Sequence, residues 1–117
     1  MKKQLILTAI FAALSFASVF AQSKTKQVII KTIIYCDHCK ECASCSPRIL
    51  HELNYTKGVK VAKLDVATQT ITVDYNPQKT DVLKIKTAIS KMGYDADDIK
   101  ADAKGYEALD GCCKKSN

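Results

Sequence analysis

Four cysteines in one short run are the side chains of this sequence that are best suited to do chemistry. Cys36, Cys39, Cys42 and Cys45 follow one another in the pattern C-x-x-C-x-x-C-x-x-C. Each neighbouring pair closes a small chelate ring, and thiolates so spaced suit a soft ion with few ligands. The run leads into a predicted helix, whose N-terminal dipole favours the thiolate over the thiol. The spacing therefore predicts a site for Cu(I) first and Hg(II) second, with Zn(II) or another soft metal as further candidates.

Three other side chains are additional candidates for metal or redox chemistry. Cys112 and Cys113 form a vicinal pair near the C-terminus, and His38 lies inside the first C-x-x-C. The vicinal pair has three open interpretations: it completes the metal site, it passes metal on, or it pairs with another thiol. His38 is either an auxiliary ligand or a surface histidine. Met92 fits an apolar helix stripe and is interpreted as a core residue, and His51 is expected to be exposed.

Rival chemistries of the cysteine run remain alternatives. Small exported domains often use cysteines as structural disulfides, but four cysteines within ten residues close loops too short to restrain much chain. A C-x-x-C at the start of a helix is also typical of a thiol-disulfide oxidoreductase. The last spacing is wrong for an iron–sulfur ligand run, and four ligands this close leave little room for a tetrahedral zinc site.

The elements that must position these cysteines alternate between strands and helices. Strands are predicted at residues 28–34, 59–66 and 71–75, with a short last strand at 94–96. The first helix begins at Ser46-Pro47, where serine suits an N-cap and proline the first turn. The second is capped by Thr80 or Asp81 and ends at Gly93. The order β-α-β-β-α-β predicts an α+β, ferredoxin-like sandwich, an antiparallel sheet with two helices on one face.

Length, composition and charge limit the organisation of the chain. It has 117 residues, six cysteines and a formal net charge of +6, which excludes large multi-domain enzymes. Residues 1–21 read as a signal peptide, 22–26 as a short leader, 27–98 as the domain and 99–117 as a polar tail. Within the tail, a weak helix over 101–109 is expected to be broken by Gly105. The basic residues form no stripe with aromatics, so no nucleic-acid partner is expected.

The helix pattern after Cys45 resembles that of heavy-metal-associated domains. In that family apolar residues stand four and eight positions after the second metal cysteine, and Gly-Val follows at thirteen and fourteen. Ile49, Leu53, Gly58 and Val59 match these positions, and the runs 73–77 and 88–94 are similar to the family's third strand and second helix. The family includes copper chaperones, copper-ATPase amino-terminal modules and the periplasmic mercury-binding protein.

The resemblance implies roles for particular residues and partners. Cys42 and Cys45 fall on the metal-binding pair, and Tyr94 falls beside the loop that shields the metal. The resemblance also implies a ferredoxin-like fold and a metal-donor or metal-acceptor partner, such as a metal-transporting ATPase or an efflux component.

The cysteine run departs from the family pattern by its length. An apolar residue usually precedes the first metal cysteine by two positions; Ile34 fits this before Cys36, whereas Lys40 does not before Cys42. The strand register thus points to Cys36 and Cys39, and the helix register to Cys42 and Cys45. A six-residue insertion that duplicates the C-x-x-C explains both, and would let three or four thiolates converge on one ion or a small copper–thiolate cluster.

The sequence therefore predicts an exported heavy-metal-binding protein that transfers Cu(I) by thiolate ligand exchange, as a chaperone or scavenger. The alternatives are a thiol-disulfide oxidoreductase and a Hg(II)-binding protein. We expect no enzyme activity and no stable membrane anchor. We expect a periplasmic location if the source has an outer membrane, and secretion otherwise.

Overall fold

The computed structural model describes residues 24–36 and 45–116. The predicted signal peptide and the first two residues of the leader lie outside these residues, as do three of the predicted site residues, His38, Cys39 and Cys42. None of the helices in the two described stretches is both long enough and apolar enough to span a membrane.

A three-stranded antiparallel sheet is the base of the fold. Its strands are β1 (Lys26–Lys31), β2 (Val59–Asp65) and β3 (Thr70–Tyr75), in the order β1-β3-β2. In the central strand β3, Ile71 lies opposite Ile30 of β1 and Leu64 of β2. Buried and half-buried residues alternate along β3, as they do in a strand with one face in the core, and the predicted strand at 71–75 is confirmed.

Two helices form the predicted helical layer on the sheet, and their apolar side chains supply the other half of the core. They are α1 (Ser46–Asn54) and α2 (Val82–Lys91). Ile49 and Leu53 of α1 and Ile85 and Ile89 of α2 are fully buried, so the apolar faces predicted from helical spacing are confirmed. Together with the sheet, these helices confirm the ferredoxin-like fold class.

The two ends of α2 also agree with the ends predicted from the sequence. The Asp81 side chain accepts a hydrogen bond from the Lys84 backbone N–H at 2.9 Å, which makes Asp81 the N-cap. Gly93 follows the helix with φ +100°, a conformation that favours glycine. Met92 is buried as predicted.

In place of the predicted last strand, two hydrogen bonds join Asp97 to Lys31 at the end of β1. The Asp97 backbone N–H donates to the Lys31 carbonyl at 2.8 Å, and the Lys31 N–H donates to the Asp97 carboxylate at 2.7 Å. Asp97 has φ +53°, and Ala96 forms an isolated bridge with Ile99. The chain turns back at once, so a strand ladder does not extend along β1 and the prediction of a strand at 94–96 is wrong.

Residues 99–116, the C-terminal segment, pack against the end of α2. The segment contains a third helix, α3 (Ala103–Glu107), and a 3₁₀ turn at Gly111–Cys113. Gly105 lies inside α3 and does not break it. A Cβ at this position would collide with the Lys91 carbonyl oxygen and approach the Gly93 nitrogen to 2.8 Å. Gly105, which was predicted to break the helix, is therefore the residue that allows α3 to pack against the end of α2.

Candidate metal centre

The last cysteine of the run is fixed at the N-terminus of α1. Cys45 is the N-cap residue, and its carbonyl accepts a hydrogen bond from the Ile49 N–H at 3.0 Å. Ser46 was predicted as the cap but is the first helical residue, because this i→i−4 bond extends the helix back by one position. Pro47 stands in the first turn as predicted.

The Cys45 side chain turns inward and is completely buried. It makes no capping hydrogen bond to the helix, so its sulfur is directed to core contacts. The positive end of the α1 dipole lies beside it. The described geometry therefore places one buried thiol at the positive end of a helix.

The first cysteine of the run is also buried and lies just beyond the end of β1. Cys36 is 7% exposed. Two residues before it, the Ile34 backbone N–H donates to the Gln69 side-chain oxygen at 2.6 Å, and the Gln69 amide nitrogen donates to the Ile34 carbonyl at 3.1 Å. Gln69 belongs to the β2–β3 turn, so this turn holds the strand end from which the cysteine run departs.

The structure thus describes the first and the last cysteine of the run but not the residues between them. Cys36 and Cys45 both belong to the buried core, whereas Cys39, Cys42 and His38 lie outside the described residues. In the part of the chain that the structure describes, no group of three or more His, Cys, Asp or Glu side chains could hold a metal ion. The four-cysteine ligand set stays a prediction.

A cysteine from the C-terminal segment meets Cys45. The sulfurs of Cys45 and Cys113 are 2.7 Å apart although the residues are 68 positions apart in sequence. Cys113 is 2% exposed, and its sulfur lies 3.8 Å from that of the exposed Cys112. The vicinal pair marked these residues in the sequence, but nothing in the spacing indicated which loop cysteine Cys113 would reach.

Tyr94 lies beside this pair of sulfurs. The side chain is 2% exposed, and its hydroxyl has no partner in hydrogen-bond geometry among residues 24–36 and 45–116. Burial raises the pKa of Tyr94, and negative charge on the neighbouring Cys113 and Cys45 sulfurs raises this pKa further. The phenol therefore stays protonated and is available as a hydrogen-bond donor.

A small cavity of about 60 Å³ adjoins Cys113. Tyr94, Cys113, Tyr106 and the backbone of Gly93 are among the groups that line it. His51, by contrast, is exposed on α1 and stacks on Tyr55 with ring centroids 4.6 Å apart, as expected for a histidine with no part in the site. Cys45, Cys113 and Tyr94 are thus gathered where α1 and the C-terminal segment meet.

The fold, with a cysteine at the start of its first helix, is that of one known class of metal-binding domain. The family model described as the heavy-metal-associated domain matches residues 40–95. A solution structure of the N-terminal domain of a potential copper-translocating P-type ATPase from Bacillus subtilis, in the Cu(I)-loaded state, is 32% identical. That match covers 63% of this chain and 86% of that one, with a TM-score of 0.52. The chain belongs to the heavy-metal-associated domain family.

Further similarities agree with this assignment. The copper-exporting P-type ATPase of Bacillus subtilis strain 168 is 38% identical over 74 residues, 63% of this chain but 9% of the relative. The chain thus spans less than a tenth of that relative. The CopZ metallochaperone is 29% identical, with 61% and 98% of the two chains covered and a TM-score of 0.51. Oxidized MerP from Ralstonia metallidurans CH34, at 20% identity, 62% and 94% coverage and a TM-score of 0.53, shares the fold.

Proposed function

We propose that the chain binds Cu(I) through its loop cysteines and transfers it to a partner by thiolate exchange. The observation that carries this proposal is the placement of Cys45, which is buried at the N-terminus of α1 with its sulfur in contact with another thiol. A soft thiolate at a positive helix end suits a soft monovalent ion. The similarity to a Cu(I)-loaded ATPase domain and to a metallochaperone supports copper as the metal.

The transfer would proceed without breaking any bond of an organic substrate. An incoming thiolate adds to the low-coordinate ion, a three-coordinate intermediate forms, and one original thiolate leaves. Thiols release their protons when they bind metal, so uptake is favoured by any environment that stabilises the thiolate. We propose a metal-transporting ATPase or efflux component as the partner, and an exported location for the protein. Hg(II) is the second metal that this donor set suits.

The test is competition for Cu(I) between the reduced protein and a chromophoric Cu(I) chelator. We expect the wild-type chain to withdraw about one or more Cu(I) per chain and Cys45→Ser to lose most of the affinity. Cys112→Ser is the matched control, because Cys112 is exposed whereas Cys45 is buried. If the fully reduced wild-type protein takes up neither Cu(I) nor Hg(II), the proposed function is wrong.

Disulfide exchange is the second candidate, because two buried thiols distant in sequence lie in contact. It predicts catalysed reduction or isomerisation of a disulfide substrate by metal-free protein, with glutathione as reductant. We propose metal binding over catalysis because membership of a metal-binding family supports it. Turnover by metal-free protein far above the rate of free thiol would reverse that choice.

A further inference from the structure

We propose that Cys113 is a metal ligand that shares the bound ion with Cys45, so that the C-terminal segment supplies a thiolate from outside the family domain. The inference rests on the proposed function and extends it. The family match ends at residue 95, so the family pattern assigns no role to a cysteine at position 113. The structure nevertheless places this sulfur closer to Cys45 than an ordinary van der Waals contact between sulfurs.

The contact distinguishes Cys113 from its neighbour Cys112. Cys113 is 2% exposed and touches Cys45, whereas Cys112 is exposed. Of the three interpretations of the vicinal pair, passing metal outward would require a sulfur at the surface, and Cys113 is not there. Pairing with another thiol would join Cys113 to Cys45 as a disulfide, but no disulfide links them in this structure. In the reduced protein the position of Cys113 fits a group that completes the site from within.

Several specific contacts between the C-terminal segment and α2 position Cys113 beside Cys45. The Ser90 hydroxyl donates to the Lys100 carbonyl at 2.7 Å, and the Ser90 carbonyl accepts from the Asp102 N–H at 2.9 Å. Gly105 meets the last turn of α2 so closely that it leaves no room for a Cβ. These contacts anchor the segment at the end of α2, next to Tyr94.

The chain between α3 and Cys113 is fixed as well. Leu109 is 5% exposed and belongs to the core. The Lys115 backbone N–H donates to the Tyr106 hydroxyl at 2.8 Å, and the Lys114 ammonium group donates to the Glu107 carbonyl at 2.9 Å. The 3₁₀ turn that carries Cys113 is therefore held on both sides, and its approach to Cys45 is part of the fold.

The surroundings of the two sulfurs can accept an ion after a small movement. Two sulfurs each about 2.3 Å from one metal stand about 4 Å apart at a trigonal angle, so the pair must open by more than ~1 Å. The cavity of about 60 Å³ beside Cys113 provides space for that movement. The buried Tyr94 hydroxyl, which has no hydrogen-bond partner within the described chain, is a donor available to a ligating thiolate.

The experiment compares Cys113→Ser with Cys112→Ser in the reduced full-length protein. Cu(I) affinity is measured by chelator competition, and the number of sulfurs around copper by X-ray absorption. Removing a group that merely supports a ligand costs about 10- to 100-fold in metal affinity. We therefore expect Cys113→Ser to lower the Cu(I) affinity at least about tenfold and to remove one sulfur from the copper shell. Cys112→Ser should change neither quantity.

A second variant keeps every sulfur and moves the segment. In Gly105→Ala the new methyl group collides with Lys91, so the C-terminal segment should dock less well. We expect this variant to lose Cu(I) affinity in the wild-type background but not in the Cys113→Ser background, because the two changes act through the same thiolate. Circular dichroism of each metal-free variant shows whether the sheet and α1 remain folded.

The outcomes separate this inference from the proposed function. If wild-type protein binds Cu(I) and Cys113→Ser has the same affinity and sulfur count, the inference is overturned and the function stands. The inference is likewise overturned, and the function again stands, if Gly105→Ala weakens Cu(I) binding equally with and without Cys113. If wild-type protein ignores Cu(I) altogether, both fail.

Discussion

Replacement of Gln69 should loosen the strand end that leads into the cysteine run. The Gln69 carboxamide bonds both the N–H and the C=O of Ile34, at 2.6 and 3.1 Å. Gln69→Ala removes both bonds and leaves the backbone bond from Thr32 to the residue 69 carbonyl in place. Because each hydrogen bond contributes about 0.5–1.5 kcal/mol net, we expect a loss of about 2 kcal/mol in the free energy of unfolding.

The backbone at this position allows a sharper comparison. Gln69 has φ +57°, a conformation that costs a residue with a side chain about 1–2 kcal/mol and glycine nothing. Gln69→Gly should therefore lose the same two bonds but recover part of that strain. After the extra flexibility of glycine in the unfolded chain is subtracted, the loss should be about 0.5–1 kcal/mol smaller than for alanine.

Urea unfolding of the reduced, metal-free protein measures these differences. Gln78→Ala is the matched control, since the hydrogen bond found for the exposed Gln78 is made by its backbone N–H to Asn76, and we expect no more than about 0.5 kcal/mol of change there. A Gln69→Ala protein as stable as the control would refute the role given to the Gln69 carboxamide. Greater destabilisation by glycine than by alanine at position 69 would refute the role given to the positive φ.

Three further changes have outcomes that follow from single contacts. Asp81→Ala removes the N-cap of α2 and should lower the unfolding free energy by about 1 kcal/mol in urea titrations. Tyr94→Phe removes a buried hydroxyl that has no hydrogen-bond partner among the described residues, so thermal unfolding of metal-free protein should show equal or higher stability. Burial would raise the pKa of Asp97, but hydrogen bonds from the Lys31 N–H and the Lys86 ammonium outweigh it and lower this pKa. The resulting stabilisation is present above the unfolded-state value near 3.9 and is lost as the pH falls through the lower folded-state value.

Each of these three predictions can be contradicted by one measured outcome. Asp97→Asn, which tolerates the positive φ, should flatten the loss of stability below about pH 4; an unchanged acid limb contradicts the role given to this carboxylate. A Tyr94→Phe protein less stable than wild type would mean that the hydroxyl is satisfied. An Asp81→Ala protein as stable as wild type would mean that the cap contributes little to α2.

Local rules predicted most of the fold because its elements obey them one at a time. The alternation in β3, the apolar stripe of α2 and the glycine that follows α2 each depend on residues a few positions apart. Two failures have different causes, one local and one distant in sequence. Ser46 lost the cap to Cys45 because the helix gained one more bond, and residues 94–96 failed to form a strand because Asp97 turns the chain at the β1 edge.

The sequence by itself determined that a run of cysteines leads into the N-terminus of α1 and that the fold is ferredoxin-like. Both follow from spacing and periodicity, which are properties of neighbouring residues. Only the tertiary structure decided that Cys113 meets Cys45. That contact depends on Gly105 admitting the C-terminal segment against α2 and on Leu109 joining the core. Such packing across 68 positions is set by the shapes of surfaces that exist only once the domain has folded.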